Sequence, residues 1–174
     1  MTDGRDVARE SARYLEGVYV PRLRRALDIL PVEDLWWRPH PDSISFGTIL
    51  LHLEGNVRQW ILSGLGGAED HRDRQAEFST TDGPSAAQLI SELADTVQAA
   101  AEVLEGLPED GLRKLYRIQG TEVQGFAAVY HVVEHFSWHT GQAVYIAKAR
   151  AGAGHDMHFY DDAQVNAAHN APGA

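Results

Sequence analysis

Cysteine is absent from this 174-residue chain. Its absence excludes disulfides, thiolate metal sites and a cysteine nucleophile, so any metal ion must be bound through nitrogen or oxygen ligands. Long hydrophobic runs are also missing, because no apolar stretch approaches the roughly 20 residues that span a bilayer. Residues 1–10 are polar and lack the apolar core of a signal peptide. We therefore expect a cytoplasmic protein that does not bind membranes.

Positive charge is scarce, since 15 lysines and arginines stand against 25 acidic residues and give a formal net charge of -10. Nucleic acid and anionic membranes repel such a surface, so neither is an expected partner. A chain of this length that is 44% hydrophobic is typical of one compact domain with a sizeable core. We take residues 1–174 as that domain, with about 160–174 as a flexible tail.

Apolar residues at helical spacing predict four long helices, over about residues 7–30, 45–65, 85–106 and 125–151. Ser45 is a predicted N-cap, and Ser85 with Gln88 forms a capping-box signature. Pro21 is expected to kink the first helix.

Three prolines in residues 31–43 predict an irregular connector. The polar residues 68–83 predict a crossover loop or a short turn of helix, and 115–123 predict a short extended turn around Gly120. This order favours an all-α four-helix bundle.

Three of the nine histidines repeat every four residues on the last predicted helix, at His131, His135 and His139. A spacing of four places each one turn further along and only about 40° around the helix, so adjacent pairs can chelate one ion. On a helical wheel His135 and His139 share the apolar arc with Val132 and Phe136, whereas His131 lies at its border. The later pair is therefore the predicted metal-binding pair.

A third ligand is needed, because open metal sites of the zinc type normally have three protein ligands. His52 is the candidate, as the only other histidine in the middle of a predicted helix, in line with Asn56 and Ser63. The alternative is that these histidines are hydrogen-bonded core residues without a metal. His40, His71 and His169 are expected to be exposed to solvent. His155 and His158 are the weak candidates for a second metal site.

Several other chemistries are excluded by their missing patterns. Glu134 precedes His135 instead of following it, so the zincin pattern is absent. No Glu-x-x-His pair is available for a di-iron bundle. The sequence also lacks a Gly-x-Ser-x-Gly elbow and a phosphate-binding Gly-Lys-Ser/Thr loop.

Two segments carry a family resemblance: His-Leu-Glu-Gly-Asn-Val-Arg-Gln-Trp at 52–60 and Tyr-His-Val-Val-Glu-His-Phe-Ser-Trp-His-Thr-Gly-Gln at 130–142. The chain resembles the DinB-like, or YfiT-like, metal-binding bundles, in a branch of unknown function. Trp-Arg-Pro at 37–39, Arg-Asp-Arg-Gln-Ala-Glu-Phe at 72–78 and Phe-Tyr-Asp-Asp at 159–162 support the resemblance, which spans most of the chain.

The resemblance implies an up-down-down-up four-helix bundle with the long crossover between the second and third helices, usually as a homodimer. It also implies one divalent ion, nickel or zinc, bound by His52, His135 and His139. Characterised relatives include thiol transferases and isomerases that use bacillithiol or mycothiol. The implied function is a metal-dependent transferase that activates a small thiol cosubstrate. The alternatives are a metal-dependent hydrolase and a non-catalytic, structural metal-binding bundle.

Three more residues are candidates for binding a cofactor or substrate. Asn56 either orients the site or caps a local backbone group. Gln142 is either a partner for an imidazole nitrogen or a surface amide. Arg38 either pairs with an anionic thiol cosubstrate or forms a structural ion pair.

Overall fold

Helices dominate the computed structural model, which describes residues 4–159. The helices are α1 (Gly4–Tyr14), α2 (Val20–Ile29), α3 (Phe46–Val57), α4 (Arg74–Ser79), α5 (Ala86–Glu105) and α6 (Gly125–Ala151). Two short strands, β1 (Leu115–Ile118) and β2 (Thr121–Gln124), precede α6. The all-α prediction is confirmed at the level of a mostly helical chain. The predicted tail at 160–174 lies outside the described residues, as does His169.

Two helices are extended by wider, π-helical segments. Leu15–Tyr19 joins α1 to α2, so residues 4–29 form one continuous helical stretch. Pro21 is the second residue after this segment and lies in the first turn of α2. Proline has no N–H to donate and its ring crowds the preceding turn, which explains why the helix is irregular at this point. The π-helical segment Arg58–Leu65 likewise continues α3 as far as Gly66.

Side-chain caps begin the helices where the sequence predicts them. Ser45 accepts a hydrogen bond from the backbone N–H of Thr48 at 3.0 Å, and Ser85 accepts one from that of Gln88 at 3.3 Å. The polar crossover contains the short helix α4, capped by Asp73. Both predicted caps and the short helical turn are therefore confirmed.

The segment around Gly120 forms an antiparallel β-hairpin in which Ile118 pairs with Thr121. Gln119 and Gly120 have φ angles of 51° and 78°, the left-handed conformation that a tight two-residue hairpin turn requires. Ile118 is buried, and its side chain would lie 2.6 Å from a Cβ atom at Gly64. The hairpin thus packs on the π-helical end of α3 because Gly64 has no side chain.

The long helices share one hydrophobic core, in which α3 packs against both α5 and α6, and α2 packs against α6. Phe46, Leu53 and Phe136 are completely buried there. The packing of α3 beside α6 brings together two segments that are about 80 residues apart in sequence, and these are the segments that carry the candidate ligands. Within residues 4–159 no helix is both long enough and apolar enough to cross a membrane.

A candidate metal centre between α3 and α6

Three histidine side chains meet where α3 packs against α6. His52 comes from α3, and His135 and His139 come from successive turns of α6. One nitrogen from each ring can be chosen so that all three lie within 4.8 Å of one another. The structure therefore brings together the three residues that the sequence analysis selected, and a helical spacing of four supplies two of them from one face.

The spacing of these nitrogens suits chelation of a single ion. Nε2 of His52 lies 3.0 Å from Nε2 of His135. Two nitrogens bound at about 2.1 Å and at right angles to each other around one ion would lie about 3.0 Å apart. A hydrogen bond between the two nitrogens would have the same length, so the evidence for chelation is the position of the third ring. The ring centre of His139 lies 5.0 Å from that of His52 and 4.5 Å from that of His135. Three convergent imidazoles could hold one metal ion.

The electrostatics of the cluster keep the two imidazoles of α6 uncharged. Burial, together with the neighbouring His139, His52 and His131, lowers the pKa of His135 to about 3. Burial and His52 also lower the pKa of His139, to about 4. At neutral pH these imidazoles are uncharged and each has a lone pair, which is the form that binds a metal ion.

Gln142 lies one turn beyond the last histidine and contacts it. Its side-chain oxygen lies 2.7 Å from Nδ1 of His139. An amide oxygen can only accept, so Nδ1 of His139 carries the proton and Nε2 is left with the lone pair. This contact matches the role suggested for Gln142 as a partner of an imidazole nitrogen.

A buried ion pair lies on the other side of His52. Nδ1 of His52 is 2.8 Å from a carboxylate oxygen of Glu77, and Arg72 donates to both oxygens of that carboxylate, at 2.7 and 2.9 Å. The side chains of Arg72 and Glu77 are only 3% and 9% exposed. Burial would raise the pKa of Glu77, but hydrogen bonds from Arg72 and His52 outweigh it and the pKa is lowered. Glu77 is therefore ionised at neutral pH.

Arg72 and Glu77 were not among the candidate site residues predicted from the sequence. Both lie in the polar crossover, where charged residues usually face water. The only signal was their position in the segment 72–78 that supports the family resemblance.

The fourth nearby histidine, His131, has a different environment. Its ring lies 4.1 Å from that of Trp60, and its Nε2 is 3.3 Å from the side-chain nitrogen of Asn56. Its ring centre is 5.4 Å from that of His135. Asn56 thus contacts the border histidine and not the three-histidine cluster, and its side-chain oxygen is buried without a partner.

Arg38 is engaged by the protein itself. It donates to the hydroxyl of Thr48 and to the backbone carbonyls of Phe78 and Thr80, at 3.0 to 3.3 Å. These bonds tie the end of the crossover to the first turn of α3. These contacts match the structural role suggested for Arg38. They do not form the ion pair that was expected, because the partners are carbonyls and a hydroxyl and not a carboxylate.

The remaining described histidines lie away from the centre. His40, His71 and His158 are exposed and lie near aspartate or glutamate side chains close to them in sequence. Nδ1 of His155 is buried without a partner. Among residues 4–159 the group that could hold an ion consists of His52, His135 and His139, so no second site is found at His155 and His158 there.

These features define a mostly helical protein with a three-histidine cluster between its third and last helices. Residues 11–157 match the family described as "Protein of unknown function (DUF1572)", and the chain belongs to that family. It is also similar in fold to the crystal structure of a DinB-like protein from Bacillus cereus ATCC 10987, with 18% identity, a TM-score of 0.60, and coverage of 75% of this chain and 84% of that one. The family match confirms the predicted branch of unknown function, and the structural likeness confirms the predicted DinB-like fold. No curated protein matches the chain.

Proposed function

We propose that this protein binds one divalent metal ion through His52, His135 and His139 and acts with it on a small molecule. The observation that carries the proposal is the convergence of three imidazoles from two helices, with ligand atoms within 4.8 Å of one another. Three protein ligands leave at least one coordination position for water or substrate, which is the arrangement of catalytic sites.

The experiment that tests metal binding compares histidines on the same helix. The metal-free protein is titrated with Zn²⁺ and with Ni²⁺, and the bound metal is measured by elemental analysis after gel filtration. We expect about one equivalent in the wild type, a large loss in His135→Ala and His139→Ala, and near-complete retention in His131→Ala. A wild type that binds no metal, or loss of binding in His131→Ala alone, would contradict the proposed site.

The finer proposal is a transferase that uses a low-molecular-weight thiol, and its support is the resemblance to the DinB-like bundles, whose characterised relatives include thiol transferases. A bound Ni²⁺ or Zn²⁺ would act as a Lewis acid that lowers the pKa of a thiol. The protein would contribute Gln142, which orients His139, and a neighbouring cavity of about 450 Å³. Gln142 lines this cavity together with Trp138 and Tyr145 and also contacts His139, so Gln142 connects a cavity that could receive a cosubstrate or electrophile to the metal centre.

Calorimetry distinguishes this chemistry from its alternatives. Bacillithiol, mycothiol, glutathione and coenzyme A are titrated into the metal-loaded wild type and into His139→Ala, in buffers with different ionisation enthalpies. We expect one thiol to bind only to the metal-loaded protein and to release a proton. If none of the thiols binds, or if binding is the same without metal, the transferase proposal fails and a hydrolase or structural role takes its place.

We also propose an up-down-down-up arrangement of the four long helical segments, a homodimer and a cytoplasmic location. The first is supported by the resemblance and by the long crossover between α3 and α5. The homodimer is supported by large aromatic side chains that α6 exposes, among them Tyr130 at 63% and Tyr145 at 77%. The absence of cysteine is compatible with the cytoplasm. Analytical ultracentrifugation tests the oligomeric state.

A further inference from the structure

The buried pair formed by Arg72 and Glu77 lies against the nitrogen of His52 that faces away from the other two histidines. We propose that Glu77, held in place by Arg72, is a positioning residue that fixes His52 in the Nδ1-protonated tautomer and so presents the lone pair of Nε2 to the metal ion. This inference rests on the proposed metal-binding function. It assigns a role to the crossover segment, which supplies none of the three ligands.

The tautomer follows from the donors and acceptors around His52. A neutral imidazole carries one proton, on either Nδ1 or Nε2. Nδ1 has two polar neighbours, Glu77 at 2.8 Å and a guanidinium nitrogen of Arg72 at 3.2 Å. Arginine can only donate, and an ionised carboxylate can only accept. Glu77 is the nearer neighbour, and the same nitrogen of Arg72 already donates to that carboxylate at 2.9 Å, so the arrangement favours a proton on Nδ1 that Glu77 accepts and a lone pair on Nε2, which faces His135.

The carboxylate has little freedom to move away from His52. Arg72 holds both of its oxygens, a two-point contact that fixes the plane of the carboxylate as well as its position. The remaining terminal nitrogen of Arg72 donates to the side-chain oxygen of Gln59 at 3.0 Å. Gln59 lies on the π-helical continuation of α3, so α3 contributes both the ligand and an anchor for the residues that orient it.

The surface of α3 leaves room for this carboxylate. Gly55 lies three residues after His52 on α3, and a Cβ atom at that position would collide with Oε1 of Glu77. A glycine inside a helix normally costs about 1 kcal/mol relative to alanine, so its presence calls for a local reason. The close approach of Glu77 to the helix backbone supplies that reason.

A purely structural role is the competing explanation, in which the ion pair only secures the crossover on α3. The two roles differ in a measurable way. Long-range ¹H–¹⁵N NMR correlations report which imidazole nitrogen of each histidine carries a proton, and they do so in the metal-free protein. Competition with a chromophoric chelator gives the dissociation constant for Zn²⁺.

We expect His52 to be protonated on Nδ1 in the wild type. In Glu77→Ala the Nδ1-protonated population should decrease, and the dissociation constant for Zn²⁺ should rise by about 10- to 100-fold. Glu77→Gln keeps an acceptor oxygen but loses the charge, so it should show a smaller rise. Glu54→Ala is the matched control, because Glu54 lies on α3 and, like Glu77, pairs with an arginine, here Arg58, while its recorded partners include none of the three ligands. Its tautomers and affinity should match the wild type.

The inference is overturned if His52 keeps its tautomer in a folded Glu77→Ala protein, or if zinc affinity falls no further than in Glu54→Ala. If Glu77→Ala does not fold, Glu77→Gln decides: an unchanged spectrum and affinity overturn the inference, and a raised dissociation constant supports it. A wild type that binds no zinc refutes the proposed function, whereas the NMR measurement of His52 still tests the role of Glu77.

Discussion

Replacing Gly55 with alanine provides the sharpest test of how closely the crossover packs on α3. In an exposed helix the change would stabilise the protein, because alanine is the best helix former and glycine one of the poorest. Here the added methyl group would collide with Oε1 of Glu77 and would lie 3.1 Å from Nε of Arg72. The carboxylate cannot simply turn aside, since Arg72 and His52 hold it. Steric cost and helix propensity therefore oppose each other.

The relative sizes of these free energies decide whether Gly55→Ala is less or more stable than the wild type. Losing one charge-assisted hydrogen bond of Glu77 costs about 1.5–3 kcal/mol, and breaking its buried pair with Arg72 costs about 3–5 kcal/mol. The gain in helix propensity is about 1 kcal/mol. We therefore expect Gly55→Ala to lower the free energy of unfolding by about 0.5–4 kcal/mol, the balance of these terms.

Urea unfolding of the metal-free protein, followed by circular dichroism, measures this difference. Gly141→Ala is the matched control, because Gly141 is also inside a helix but a Cβ atom there would meet nothing within 4 Å. That variant should gain about 0.5–1 kcal/mol from helix propensity alone. If Gly55→Ala proves as stable as Gly141→Ala, the carboxylate of Glu77 is not held against α3 as described.

Three further changes test other parts of the structure. The metal-free protein should lose stability as pH falls from about 6.5 to 5. In this range the histidines of the unfolded chain become protonated, whereas His135 and His139 stay neutral in the native state because their pKa values are about 3 and 4. Urea midpoints that do not change over this range would contradict the prediction. Arg38→Ala removes the bonds to the end of the crossover, so it should make the crossover more sensitive to limited proteolysis without changing the metal stoichiometry. Loss of the metal would contradict this and would indicate a direct role of Arg38 at the site. Gly120→Ala should destabilise the hairpin by about 1 kcal/mol, because its φ of 78° disfavours a side chain; unchanged stability in urea would refute this.

Much of the helical framework could be predicted from local sequence. Ser45 and Ser85 begin α3 and α5 because a serine hydroxyl satisfies a free backbone N–H in the first turn, whatever the rest of the chain does. The hairpin around Gly120 follows from local backbone preferences in the same way. The π-helical segments were not predicted, because a π-helical turn depends on how a helix packs and not only on its composition.

The candidate ligands were also accessible from sequence, although for two different reasons. The pair His135 and His139 follows from helical periodicity alone, since a spacing of four places both side chains on one face. His52 was inferred from its position in the middle of another helix, and the family resemblance supported it. Its contact with His135, across 83 positions of the chain, required the packing of α3 against α6.

The long helices, the serine caps of α3 and α5 and the chelating spacing on α6 follow from local sequence, because they depend on interactions within one or two turns of helix. The surroundings of the ligands depend on how distant segments pack. Arg72 and Glu77 are ordinary charged residues of a polar crossover until the chain folds. They become a buried pair beside His52 because the crossover packs on α3 at a glycine, and the energy of a buried charge depends on partners that are distant in sequence.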